Sequence, residues 1–270
     1  MLRTLQQIIA AQPASDGAGV RIQRVAHHGV MNPFLMLDEI HSDAAEDYLA
    51  GFPEHPHRGF ETITYMKAGR MRHRDHMGNE GVIEPGGVQW MAAGRGVIHS
   101  EMPEQESGLM HGFQIWLNLP AAEKMMSAAY RDIPAREMGQ DQRGRVRVIA
   151  GHVEIQGESL TGPLPTRSTQ PVLCDVELEA HQSVELVFAP EQPAWVYVYQ
   201  GELAGLQRGQ FGSFTRGSVL SLVAGGTAAG ALVLSGRPID EPIVQYGPFV
   251  MNTREEIEQA IRDFRHGQLV

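Results

Sequence analysis

Cysteine is nearly missing from this chain of 270 residues. Cys174 stands alone, which excludes an intrachain disulfide and any thiolate-cluster metal site and fits a reducing, cytoplasmic compartment. Long apolar runs are missing as well. No stretch approaches the roughly 18 apolar residues that span a bilayer, and the opening Met1-Leu-Arg-Thr-Leu-Gln-Gln-Ile-Ile-Ala breaks its short apolar run with two Gln. Neither a signal peptide nor a membrane anchor is expected. Positive charge is in deficit, with 22 Lys plus Arg against 32 Asp plus Glu and a net charge of −10. Such a chain repels a phosphate backbone, which argues against direct nucleic-acid binding. Aromatic residues are few, but the 42% hydrophobic fraction supplies a self-supporting core for one large all-β domain or two ordinary ones.

Gly and Pro, 30 and 16 of them, punctuate the chain every few residues, a pattern of short β-strands joined by turns. In Val172-Leu-Cys-Asp-Val-Glu-Leu-Glu-Ala180, Val176 and Leu178 alternate with Asp175, Glu177 and Glu179, which predicts a strand with one wet face. Ala194-Trp-Val-Tyr-Val-Tyr199 is β-branched and aromatic throughout, a second strong strand. Helix is expected in two places. One is a short linker helix near Pro120 to Tyr130, followed by a polar loop through Gly139–Gly144. The other is a C-terminal helix, where Thr253 and Glu256 form a capping-box pattern ahead of Ile257, Ala260, Ile261 and Phe264, and which should pack on a sheet.

Two segments match each other. Gly86–Gly94 and Gly217–Gly225 both read Gly-x-Val-x4-Ala-Gly, and Tyr65–Gly69 lines up with Tyr197–Gly201 at nearly the same spacing. The agreement in register predicts a duplicated β unit, with a boundary that divides the chain into residues 1–135 and 136–270.

Histidine is concentrated: six of the 12 fall between His55 and His111. Two short sites carry paired donors, Glu54-His55-Pro56-His57-Arg58-Gly59-Phe60-Glu61 and Gly94-Arg95-Gly96-Val97-Ile98-His99-Ser100-Glu101. Residues two apart on a strand share a face, so His55 with His57, and His99 with Glu101, can point into one barrel interior. Three neutral imidazoles and a carboxylate suit Fe, Mn, Ni, Cu or Zn better than Mg or Ca. Four ligands on an octahedral ion leave two positions for substrate or dioxygen. The repeat register puts Val187 and Ala189 opposite His55 and His57, and Gly230 and Leu232 opposite His99 and Glu101, which predicts one metal per chain.

The longer strings resemble a known family. His55-Pro-His-Arg-Gly-Phe-Glu-Thr62, Gln89-Trp-Met-Ala-Ala-Gly-Arg-Gly96, His99-Ser-Glu-Met-Pro103 and Tyr246-Gly-Pro-Phe-Val-Met-Asn-Thr253 look like pirin, within the cupins. The resemblance implies an all-β bicupin of two double-stranded β-helix (jelly-roll) barrels: an N-terminal metal-binding cupin, and a C-terminal cupin that lacks metal ligands and ends in a helix. It implies a metal, usually Fe(II), on His55, His57, His99 and Glu101, and quercetin 2,3-dioxygenase activity in some members, with flavonol and O2 as substrates. In others it implies a regulatory role as a transcription cofactor that binds a protein partner. Gly87 stands where the family's turn carries an acidic residue, which touches only the hairpin.

Under the dioxygenase reading the flavonol's 3-hydroxyl binds the metal and Glu101 accepts its proton. The rival is a metal-sensing or structural interaction protein, and a third reading is a metal-free, sugar-binding cupin. Glu61, where general cupins place a carboxylate ligand, is a candidate to orient a His ring, and His111 a candidate to flank the metal pocket. Met66 and Met91 could line it, though they fit core packing better. His73 and His76 are placed on a surface loop, because Met77-Gly-Asn-Glu-Gly81 reads as a hairpin turn. Cys174 reads as a buried small hydrophobe.

Overall fold

The computed structural model describes residues 1–25 and 29–270. The chain forms two compact units that exchange their ends: one holds residues 13–135 and 239–270, the other residues 1–12 and 136–238.

The first unit has a seven-stranded antiparallel sheet in the order Ala129–Ile133, Val88–Ala92, Phe60–Ala68, Met110–Asn118, Phe34–Ser42, Val20–Val25 and Gln12–Asp16. A four-stranded sheet, Phe52–His57, Val97–Pro103, Met71–Asp75 and Glu80–Ile83, faces it. Val20, Ile40, Met66 and Met110 from the larger sheet and Met71 and Ile83 from the smaller close one core cluster, so each sheet hides its apolar face against the other. The second unit repeats the plan. Its four-stranded sheet contributes Val184, Leu186, Leu220 and Leu222, which pack on Cys174, Val176, Val196 and Val233 of its seven-stranded sheet. The result is a mostly β, bicupin architecture. Cys174 is fully buried there, and burial pushes its thiol pKa up, out of the reactive range.

Several local readings change. Asp175, predicted on a wet face, is buried and accepts a 2.6 Å bond from the Tyr199 hydroxyl, whereas Glu177 is exposed. The linker helix is only Ala121–Lys124. Ala129–Ile133 is a strand along the edge of Val88–Ala92, so tertiary pairing overrides local helix propensity. The turn containing Gly87 forms, with the Gly87 N–H on the Glu84 carbonyl at 2.8 Å. Helix Arg254–Arg265 carries the full Thr253–Glu256 capping box. It buries Ile257 and Ala260 against Phe249 and Met251 of a two-stranded hairpin, and so belongs to the unit that holds residues 13–135, not to the one that holds residues 136–238.

The repeat register is half right. Phe60–Ala68 and Ala194–Gln200 hold equivalent central places, in line with the Tyr65/Tyr197 match. The glycine match, however, joins Val88–Ala92 of a seven-stranded sheet to Val219–Val223 of a four-stranded one, one strand out of step. By pairing partners, Val219–Val223 corresponds to Val97–Pro103. Gly230 and Leu232 therefore lie on the counterpart of Met110–Asn118 and do not answer His99 and Glu101.

Candidate metal centre

Strand Val97–Pro103 lies between Phe52–His57 and Met71–Asp75. Its register sets His99 across from His55 on one side and from Asp75 on the other. A bulge after His99 then brings Glu101 across from Phe52, with His73 on its other side. Strand alternation turns these groups to one face, toward the barrel interior.

The rings of His55, His57 and His99 gather with centroids 4.4–4.9 Å apart, and each offers a nitrogen within 4.8 Å of the others. Each Nδ1 faces a protein partner: Pro53 O at 2.7 Å for His55, Pro248 O at 3.4 Å for His57, and His73 Nδ1 at 3.4 Å for His99. An Nδ1–H donated outward leaves the Nε2 lone pair to point inward. His99 Nε2 is buried without a hydrogen-bond partner, an orphan that a cation would satisfy. Burial, then the neighbouring imidazoles, holds the His57 and His99 pKa values well below the ordinary value. Both rings are thus neutral near pH 7, the state a metal needs.

Glu101 is buried but stands outside this group of three. Its Oε1 lies 2.7 Å from the Thr64 hydroxyl and its Oε2 3.4 Å from Gln114 Nε2. The loop after His57 is clamped. Arg58 Nη1 meets Asp263 of the C-terminal helix at 2.6 Å, and Gly59, at φ +91°, lies so close to the Val250 carbonyl that an added Cβ would sit 2.0 Å from it.

A cavity of about 600 Å³ opens onto the site, with His55, His57, Glu101, Gln114, Trp116 and Pro248 in its wall. Trp116 meets His57 edge-on at 5.4 Å and packs against Phe60 at 4.3 Å with the rings tilted by 34°. The wall also carries Arg24, bidentate on Asp38 at 2.8 and 2.6 Å. Burial raises the Asp38 pKa against the opposing pull of that guanidinium.

The other candidates lie elsewhere. Glu61 alternates with Phe60 and Thr62 and so faces away from Thr64 and the imidazoles. His111 is likewise on the face opposite Gln114 and Trp116, with its Nε2 3.0 Å from Glu39 and its ring stacked on His41. Glu39, His41 and His111 form a second group of close donors. Their imidazole planes are nearly parallel, at 12°, so the in-plane lone pairs run side by side and do not converge on one ion. Met66 packs with Ile40 and Met71, and Met91 with Ala93 and Val97. His76 caps the turn, its Nδ1 taking the Ile98 N–H at 3.3 Å.

His73, assigned to a surface loop, is instead fully buried on Met71–Asp75 beside His99. The turn begins only after Asp75, and the alternation of Met71, His73 and Asp75 is the signal that could have placed it. Trp116 and Thr64 were also missed, being ordinary strand residues in sequence.

Residues 18–117 match the Pirin family and residues 173–270 the Pirin C-terminal cupin domain. A Vibrio cholerae protein named "Putative quercetin 2,3-dioxygenase" is 49% identical over 98% of this chain and 97% of its own. A pirin-like protein of Caulobacter vibrioides is 44% identical over 99% of each. The crystal structure of a quercetin 2,3-dioxygenase from Acinetobacter baumannii superposes with TM-score 0.88 at 31% identity, covering 100% of this chain and 99% of that one. With two β barrels of one plan, family matches in both and relatives along its whole length, this chain belongs to the pirin family.

Proposed function

We propose that the protein is a mononuclear metal-dependent dioxygenase of the pirin type, which cleaves flavonols such as quercetin with O2 and releases carbon monoxide. The observation that carries the reading is the buried, unpartnered Nε2 of His99 beside the rings of His55 and His57. These three imidazoles and Glu101 would hold one divalent ion, with Fe(II) first and Zn, Mn, Ni or Cu also suited to the donor set. Such an ion, when bound, acidifies a coordinated hydroxyl and brings dioxygen beside it.

The chain's own groups do the rest. Glu101 accepts the proton of the flavonol's 3-hydroxyl, and Thr64 and Gln114 hold its carboxylate in place. Trp116 and Phe52 offer flat apolar surface in a cavity whose size suits a three-ring ligand. Phe60, packed against His57 and Trp116, keeps water from that side of the imidazoles. The lone, buried cysteine accords with a cytoplasmic home. No helix among the described residues is long and apolar enough to cross a membrane.

The test is metal content by mass spectrometry on wild type and His57→Ala, then O2 uptake with quercetin on iron-loaded wild type. About one metal per chain, lost in the variant, with O2 uptake matching flavonol loss, is the expected result. Metal without uptake would overturn the enzymatic reading in favour of a metal-binding regulatory protein that meets a protein partner. Iron-replete protein without metal would overturn the site itself.

A further inference from the structure

Behind the three-histidine group lies a line of buried polar residues that the proposed chemistry does not use. Asp75 and His73 have fully buried side chains, with His73 Nε2 3.5 Å from Asp75 Oδ2. His73 Nδ1 is 3.4 Å from His99 Nδ1. Asp75 is itself fixed by the turn that follows it: the backbone N–H groups of Met77 and Asn79 donate to Oδ1 at 2.9 and 3.0 Å, and Asn79 Nδ2 donates to Oδ2 at 2.8 Å. The Tyr130 ring stacks on His73 at 4.6 Å and 26°, which sets the plane of the imidazole.

With both imidazoles neutral and the Asp75 carboxylate ionised, donor and acceptor rules leave one arrangement. An ionised carboxylate only accepts, so His73 presents its proton on Nε2 and a bare lone pair on Nδ1. That lone pair accepts the Nδ1–H of His99, whose Nε2 is left bare, and this is the atom found buried without a partner. We propose that Asp75 and His73 are positioning residues that fix His99 in the tautomer and orientation with Nε2 free for the metal. The proposal rests on the metal reading of the site only for its purpose, since the tautomer chain is a property of the metal-free protein.

The experiment has two arms. In metal-free wild type with 15N-labelled histidine, ring-nitrogen NMR should show the His99 proton on Nδ1 and the His73 proton on Nε2. In Asp75→Asn the amide can donate to His73 Nε2, which pushes the His73 proton to Nδ1 and the His99 proton to Nε2, so both signals invert. The second arm titrates Zn(II) against a competing chelator. Asp75→Asn should bind it about 10- to 100-fold more weakly than wild type, the usual effect of removing a group that orients a ligating His. His73→Phe keeps the stack on Tyr130 but removes the acceptor, and should weaken binding in the same direction. A His99 proton on Nε2 in wild type would overturn the proposal, as would Zn(II) affinities within twofold of wild type in both variants. The expected tautomers and their inversion, in a chain that takes up no Zn(II), would uphold the relay and remove the metal reading.

Discussion

Replacing Lys124 by Met tests how the site's framework is held. The Lys124 side chain is 1% exposed, and its Nζ donates to the Gly59 carbonyl and Asn118 Oδ1, each at 2.7 Å, and to the Val250 carbonyl at 2.9 Å. It therefore pins the loop after His57 to the C-terminal hairpin. Methionine keeps the apolar stem but strands three buried acceptors, at about 1–3 kcal/mol each. Against that loss, burial pulls the Lys124 pKa from 10.5 to about 8. That shift means the buried ammonium costs about 3 kcal/mol at neutral pH, at 1.36 kcal/mol per factor of ten. The two terms leave a net destabilisation of about 3 kcal/mol at pH 7.

The pH dependence has a definite sign. Between about pH 8 and 10.5 the unfolded chain still holds the proton that the folded chain has lost, so stability rises with pH across that window. The rise requires Lys124, and the gap between wild type and Lys124→Met should widen by up to about 3 kcal/mol from pH 7 to pH 10. Urea denaturation of both proteins at the two pH values reads this directly. A gap under about 1 kcal/mol at pH 7, the worth of one ordinary hydrogen bond, or the same gap at both pH values, refutes the reasoning.

Three further outcomes are expected. Gly59→Ala meets the Val250 carbonyl and a positive φ at once; it should cost about 3 kcal/mol or more and reduce metal occupancy, read by thermal melting and mass spectrometry. Thr64→Val removes the hydroxyl beside Glu101, so stability should fall by about 1–2 kcal/mol and flavonol turnover by about tenfold, with metal content retained. Trp116→Ala strips a ring from the cavity wall, and KM for a flavonol should rise about fivefold, matching one aromatic contact of about 1 kcal/mol. An unchanged KM would place the flat ligand elsewhere.

The gathering of His55, His57 and His99 was legible because it depends on local alternation: donors two apart on a strand share a face whatever the fold around them. Glu101 followed the same rule to the same face, but the bulge after His99 and the pull of Thr64 and Gln114 hold it off the trio, and no spacing shows a bulge. His73 was hidden because its strand runs straight into a tight turn, and the turn signal masked the alternation before it. The short helix at Ala121–Lys124 misled by propensity, since the edge of Val88–Ala92 claimed the residues that follow. The strand-level repeat was visible through Tyr65 and Tyr197. The Gly-x-Val match misled because similar turns recur before different strands, and only long-range pairing tells them apart.

The exchange of ends between the two units bears on how the protein is made. The carbonyl that His57 Nδ1 faces belongs to Pro248, 191 positions downstream, and Asp263, which holds Arg58, comes later still. As the chain is synthesised, the histidine strands emerge early but lack these partners until residues 239–270 follow. Meanwhile Leu5–Ala10 must wait for Gln210–Phe214, the strand it pairs with. The histidine site is thus completed only after the other barrel's strands have been made, and a fragment ending at residue 135 would carry the three imidazoles without the Pro248 carbonyl behind His57 or the Asp263 carboxylate that holds Arg58.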